Sequence, residues 1–320
     1  MPRKRQLNLE QDQYRCRGAF INLQQLLDQR HVARNLELDY SARTRLGMSG
    51  THISKVRGRG VDFEEFRVYQ PGDDVRTIDW RVTARIGRPY VKVFREERER
   101  PVIIGVDQSH NMYFGSQVAF KSVVAAEAAA IICWTTVDNG DRVGGVVFSD
   151  EKQELIKPKR SKRSALRFLN TTADFNQELV HTHRESGGSP TCLRHALEQI
   201  YRITKPGSNV YLISDFSAWD TECANYVQQL ALHNSVTCVL IYDALEENLP
   251  RPGVYSITDG SARSTIDTHT RATRETYHQH FDARLLSLRE QLNLMQVPLI
   301  TIRTNQVVMD QLETWKQKTR

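Results

Sequence analysis

Residues 102–111 read VIIGVDQSHN: five uncharged, mostly branched residues, then Asp107, Ser109 and Asn111 within one short loop. A continuous apolar run of this length, closed abruptly by polar residues, marks a strand buried on both faces of a parallel sheet. In open parallel sheets, ligands gather beyond the carboxyl ends of the strands. The side chains that follow such a strand are therefore the first to inspect.

Reading outward from this strand, the pattern alternates. A helix is predicted over 118–137, a strand over 141–149 and an edge strand over 153–156, then a helix over 161–170. A helix over 191–204 ends at Pro206-Gly207 and leads into a strand over 209–214, a helix over 220–233 and a strand over 235–242. A further strand at 253–258, the longest helix at 271–294 and a last strand at 297–302 complete the series. Strand–helix alternation of this kind predicts an α/β domain over about 101–306, a doubly wound, mostly parallel sheet with helices on both faces.

The strand at 209–214 runs straight into Asp215-Phe216-Ser217, and the loop Gly187-Gly188-Ser189-Pro190 would present Thr191 to the same edge. Asp107, Ser109, Asn111, Thr191 and Asp215 thus supply carboxylate, hydroxyl and amide oxygens from three loops. Hard divalent cations such as Mg²⁺ or Mn²⁺ take ligands of this type, and a position would remain for a partner's carboxylate.

This pattern resembles the metal-ion-dependent adhesion site of von Willebrand factor A domains, written D-x-S-x-S, then Thr, then Asp. Asn111 departs from it, standing where the pattern has its second Ser. Upstream, the block RGRGVDFEEFRVYQPGDDVRTIDWRVTARIGRPYVKVFREERE closely resembles the signature of the bacterial "domain of unknown function 58" family. That family couples this block to a von Willebrand factor A-like domain, and the resemblance covers roughly residues 38–242. It implies a protein-interaction module that acts as an adaptor or co-chaperone for a MoxR-type AAA+ ATPase. Two other readings of the same oxygen set stay open: a Mg- or Mn-dependent hydrolase of phosphate esters, and a metal-free scaffold.

The rest of the chain divides into a disordered basic tail (1–15), a segment from 16 to 100 holding an amphipathic helix over 20–38 and the signature block, and a helical tail at 307–320. The block reads as short strands between turns. Asp73 and Asp74, after Pro71-Gly72, suit a turn in which carboxylates bond nearby backbone N–H groups. Arg76, Asp79, Trp80 and Arg81 are the candidates for a partner-docking surface; alternatively Arg76, Asp79, Arg81 and Arg85 form an ion-pair network that holds the block in place. Trp80 would serve as an anchor in either case.

Composition sets the outer bounds. Of 320 residues, 39% are hydrophobic and 26% charged, ordinary for a globular protein, and the net charge is +6. Residues 1–60 hold 12 Lys/Arg against 5 Asp/Glu, so the positive charge lies at the amino-terminal end. An anionic contact there, including peripheral membrane contact, fits. Nucleic acid is not expected, because aromatics are sparse and no binding motif interleaves with the charge. No stretch reads as a membrane span or signal peptide, so the cytoplasm is the expected compartment, with five scattered cysteines as free thiols. GDRVGG at 140–145 lacks the ending of a phosphate loop, and no G-x-S-x-G elbow surrounds Ser109 or Ser214.

Overall fold

The structure, a computed structural model, describes residues 13–34, 61–96, 100–182, 191–258 and 263–319. The tail at 1–12, the glycine- and arginine-rich stretch at 46–60 and the far end of the helix expected over 20–38 lie outside the described residues. In chain order, helix α1 (Leu23–Ala33) is followed by strand β1 (Val61–Val68), helix α2 (Trp80–Ile86), strand β2 (Tyr90–Glu96) and strand β3 (Val102–Asp107). Next come α3 (Lys121–Asp138), β4 (Val143–Phe148), β5 (Gln153–Lys159), α4 (Lys162–Thr182), α5 (Cys192–Ile203), β6 (Asn209–Ser214) and α6 (Thr221–His233). The series closes with β7 (Ser235–Tyr242), α7 (Ala244–Glu247), β8 (Val254–Thr258), β9 (Arg263–Asp267), α8 (Arg271–Leu294), β10 (Leu299–Arg303) and α9 (Val308–Thr319).

The chain forms two compact units: Met1–Arg43 with Arg100–Arg320, and Thr44–Glu99. The larger unit is built on a six-stranded sheet in the order β10-β7-β6-β3-β4-β5. All neighbours are parallel except β5, which pairs antiparallel with β4 at one edge. From β3 the chain winds outward through β4 and β5, then returns to β6 on the other side of β3 and winds outward again. The switch point of this doubly wound sheet therefore lies between β3 and β6, where a crevice opens at the carboxyl ends.

Strand side chains alternate between two cores. Val102, Ile104 and Val106 face a core shared with α3, α4, α9 and the amino-terminal segment. Ile103 faces the other core, with Leu193 and Leu197 of α5, Val227 of α6 and Leu292 of α8. Gly105 is fixed by close approach: a Cβ there would lie 2.8 Å from Ile200 Cδ1 on α5.

Helix α3 is buried along almost its whole length, from Lys121 to Thr136. A helix apolar all round must be covered on every side, and α1 supplies the missing cover. Leu26, Val32 and Ala33 are buried, and the Trp134 indole N–H donates to the Leu26 carbonyl at 2.9 Å. Gly18 pairs in parallel with Ala119. Residues 16–33 therefore belong with the sheet, which differs from grouping 16–100 as one segment. The helix at the carboxyl terminus likewise is no appendage, since Val308, Met309 and Leu312 join the same core.

Two further elements differ from expectation. α4 runs to Thr182 rather than ending near residue 170, because its inward polar residues are satisfied: Thr172 Oγ1 bonds the Phe168 carbonyl, and Asn176 accepts from the Ile21 N–H. β9 pairs antiparallel with β8, although its five residues RSTID carry no apolar alternation.

In the smaller unit β1 and β2 form an antiparallel pair. Asp73 accepts from the Gln70 N–H and from Arg67, both at 2.8 Å, and Asp74 accepts from the Arg76 N–H at 3.0 Å. These are the local bonds that the turn predicts. Gly87, at φ 77°, ends α2 in the left-handed conformation that favours glycine. All five cysteines are buried and free. Among the described residues no helix is long and apolar enough to cross a membrane.

Candidate functional site at the carboxyl edge of the sheet

Asp107 ends β3, and β6 lies beside it in register, Val106 against Ile213. The Ser214 hydroxyl donates to Asp107 Oδ2 at 2.5 Å, and the Ser109 N–H donates to Asp107 Oδ1 at 2.8 Å. Asp107 is buried, and burial, followed by the charge of Asp215, pushes its carboxyl up to about 7 against these hydrogen bonds. Ser109 is buried with it.

Asp215 follows β6. Its Oδ1 accepts the Ser217 N–H at 2.8 Å, and its Oδ2 faces the Lys121 ammonium at 2.7 Å. Burial works against its ionisation, but the Lys121 charge outweighs that and holds the carboxyl below the usual carboxylate range. The next residue, Phe216, has φ 50°, a left-handed conformation that costs a non-glycine residue on the order of 1 kcal/mol. Its buried ring, packed edge-on against Trp219 at 5.7 Å, holds it there. Arg284 of α8 donates to the Asp215 backbone carbonyl at 2.6 Å.

Lys121 is the first residue of α3 and is 2% exposed. An ammonium at the positive end of a helix opposes the dipole, so its position has to be secured by other groups. Its Nζ bonds Asp215 and Glu246, each at 2.7 Å. Burial disfavours its charge, but Asp215 and Glu246 outweigh burial and raise its pKa. Glu246 is itself fixed, because its Oε2 accepts the Asp243 N–H at 2.8 Å in a capping box at the start of α7. A cleft lined by Asp215, Tyr242, Glu246, Phe281, Arg284 and Leu288 adjoins this cluster.

At the rim, the Asn111 amide donates to the Ser217 hydroxyl at 2.9 Å, joining the loops after β3 and β6. The His110 N–H donates to Asp150 at 2.5 Å, which ties in the β4–β5 turn. Thr191 stands at the N-cap of α5. Its neighbour Cys192 feels the charges of Asp107, Asp150 and Asp215, after burial, as upward pushes on its thiol, so the start of α5 lies at this same edge. The loop at 183–190 is outside the described residues.

Asp107, Ser109, Asn111, Thr191 and Asp215 thus all stand at the carboxyl edge of the sheet. As arranged, these residues do not fit a divalent cation. Asp215 faces an ammonium, Asp107 accepts from a hydroxyl and an N–H, and Asn111 turns its amide N–H toward Ser217. Sequence reasoning passed over Lys121 and Glu246. One signal pointed to Lys121: a lone lysine opening a helix that is apolar on all sides.

The other candidates lie in the smaller unit. Asp79 caps α2, its carboxylate accepting from the N–H groups of Arg81 at 2.9 Å and Val82 at 3.1 Å. Trp80 is 67% exposed, and the side chains of Arg76 and Arg81 are exposed as well.

This chain is 25% identical over 276 residues to the uncharacterized protein Mb1516 of Mycobacterium bovis, covering 85% of this chain and 84% of that one. The uncharacterized protein Rv1480 of Mycobacterium tuberculosis matches to the same extent. Among solved structures, the conserved hypothetical protein BatB from Bacteroides thetaiotaomicron is similar at 14% identity and TM-score 0.39, over 69% of this chain and 98% of that one. A von Willebrand factor type A protein from Catenulispora acidiphila is similar at 14% identity and TM-score 0.39, over 72% of this chain and 43% of that one. The family described as "Protein of unknown function DUF58" matches residues 65–284, from within β1 through the switch-point edge to within α8, and the chain belongs to that family.

Proposed function

We propose that this chain is a protein-interaction module, an adaptor that works with a MoxR-type AAA+ ATPase. The observation that carries the reading is Trp80, 67% exposed at the start of α2, with exposed Arg76 and Arg81 close by in sequence. A large ring held in water on a capped helix, near guanidinium groups, has the composition of an interface hot spot. Val75 and Ile86, 56% and 53% exposed, are further apolar side chains left in water in this unit. The carboxyl edge at Asn111 and Ser217 is a second docking candidate in this reading, a polar rim stiffened by the bond between its two loops.

The test is a pull-down with a purified MoxR-type ATPase. Trp80→Ala is expected to weaken capture roughly 30-fold, equivalent to about 2 kcal/mol for a central aromatic. Arg81→Glu is expected to weaken it by about tenfold. Undiminished capture by both variants, each shown to be folded by circular dichroism, would remove the docking role of this surface.

A further inference from the structure

We propose that the cation of this edge is built into the chain: the Lys121 ammonium, with Glu246 on its other side, engages Asp215, the last residue of the adhesion-site pattern, so the edge works without a metal. Two carboxylates touch it directly. Asp215 Oδ2 and Glu246 Oε1 each lie 2.7 Å from Nζ. The remaining oxygens are engaged elsewhere: Asp215 Oδ1 with the Ser217 N–H, Glu246 Oε2 with the Asp243 N–H, and Asp107 with Ser214 and Ser109.

The arrangement is a positioned one. Lys121 is 2% exposed, yet a lysine side chain at the first turn of a helix has every reason to extend into water, away from the dipole. It turns inward because Asp215 and Glu246 are held, one by the turn at Phe216 and the other by its capping box. An ammonium offers three donors and no acceptor. It can neutralise these two carboxylates and tie the loops after β6 and β7 to the start of α3. A divalent ion entering to reach Asp215 would meet a fixed positive charge already bonded to that oxygen.

The inference shares its location with the docking reading but not its test, since the titrations below contain no partner; a failed pull-down leaves them untouched. The whole chain is titrated with Mg²⁺ and with Mn²⁺ by calorimetry, and free Mn²⁺ is followed by electron paramagnetic resonance. The wild type is expected to show no stoichiometric uptake at millimolar metal and no rise in melting temperature. Lys121→Met keeps the bulk and removes the charge; it is expected to gain Mn²⁺-dependent stabilisation of several degrees, which Lys121→Met/Asp215→Asn then loses. One equivalent of Mn²⁺ bound by the wild type and lost in Asp107→Ala would overturn the proposal. So would a folded Lys121→Met variant that gains no metal dependence. If Lys121→Met does not fold alone, refolding it with and without Mn²⁺ reads the same gain, and the wild-type titration decides by itself.

Discussion

Lys121 and Glu127 lie on the same helix, both buried and both ionisable, and the surroundings treat their charges in opposite ways. At the start of α3, Lys121 meets two carboxylates at 2.7 Å and its charge is reinforced. In the middle of α3, beneath the amino-terminal segment, Glu127 accepts the Cys16 N–H at 3.0 Å, and burial pushes its carboxyl up to about 7 although that bond and the Arg15 charge pull the other way. One end of the helix keeps a charge by pairing it. The middle tolerates a group that gives up its charge at mild pH. Burial costs both groups; the difference is whether the opposite charge that the fold brings up outweighs that cost.

The widest separation between the two is expected in stability. Lys121→Met leaves Asp215 and Glu246 facing each other without a cation, and breaking one side of a buried pair costs about 3–5 kcal/mol. Urea unfolding at neutral pH measures it. Glu127→Gln, which only exchanges a partly protonated acceptor for a neutral one, should fall far below that value. Equal losses in the two variants would end the contrast.

The second expectation concerns pH. The Glu127 carboxyl rises from 4.5 to about 7 on folding, so the folded state holds the proton more tightly than the unfolded one. The resulting stabilisation is complete below pH 4.5 and is lost as pH rises toward about 7. Its size is on the order of 3 kcal/mol across that window. Asp107 adds a slope of the same sign. Unfolding free energies measured from pH 4.5 to pH 7.5 should therefore fall less steeply for Glu127→Gln than for the wild type. An unchanged slope would show that Glu127 is already ionised throughout.

The smallest effect sharpens the comparison by moving to water. Asp79 accepts two backbone N–H groups at the start of α2. Asp79→Ala should cost about 1 kcal/mol, the ordinary value of an N-cap. Hydrogen exchange of the α2 amides would register it locally.

Much of the larger unit was legible because parallel strands announce themselves. Val102 to Val106 is apolar without alternation, and Asp107 and Asp215 each stand immediately past such a run. Chain order alone placed the two aspartates at one edge, since the sheet reverses direction between their strands. What stayed hidden depends on groups far apart in sequence. Glu246 lies in a polar turn that resembles any other, and only the fold brings it 2.7 Å from Lys121. The placement of α1 was hidden for a related reason. Its own sequence, LQQLLDQRHVA, is weakly amphipathic, while the demand for it is written in α3, whose apolar character on every face requires a cover on the side away from the sheet. The capping role of Asp79 shows only once α2 is in place, because a cap and an exposed acid look alike in sequence.

The bond between the Trp134 indole and the Leu26 carbonyl spans 108 positions of chain. During synthesis the amino-terminal helix leaves the ribosome long before the helix that it covers exists, and a whole second unit, Thr44–Glu99, is made in between. At about 5–20 residues per second, several seconds separate the two events. Leu26, Val32 and Ala33 must pass that interval without their native partner, and a helix made early is among the last to find its place.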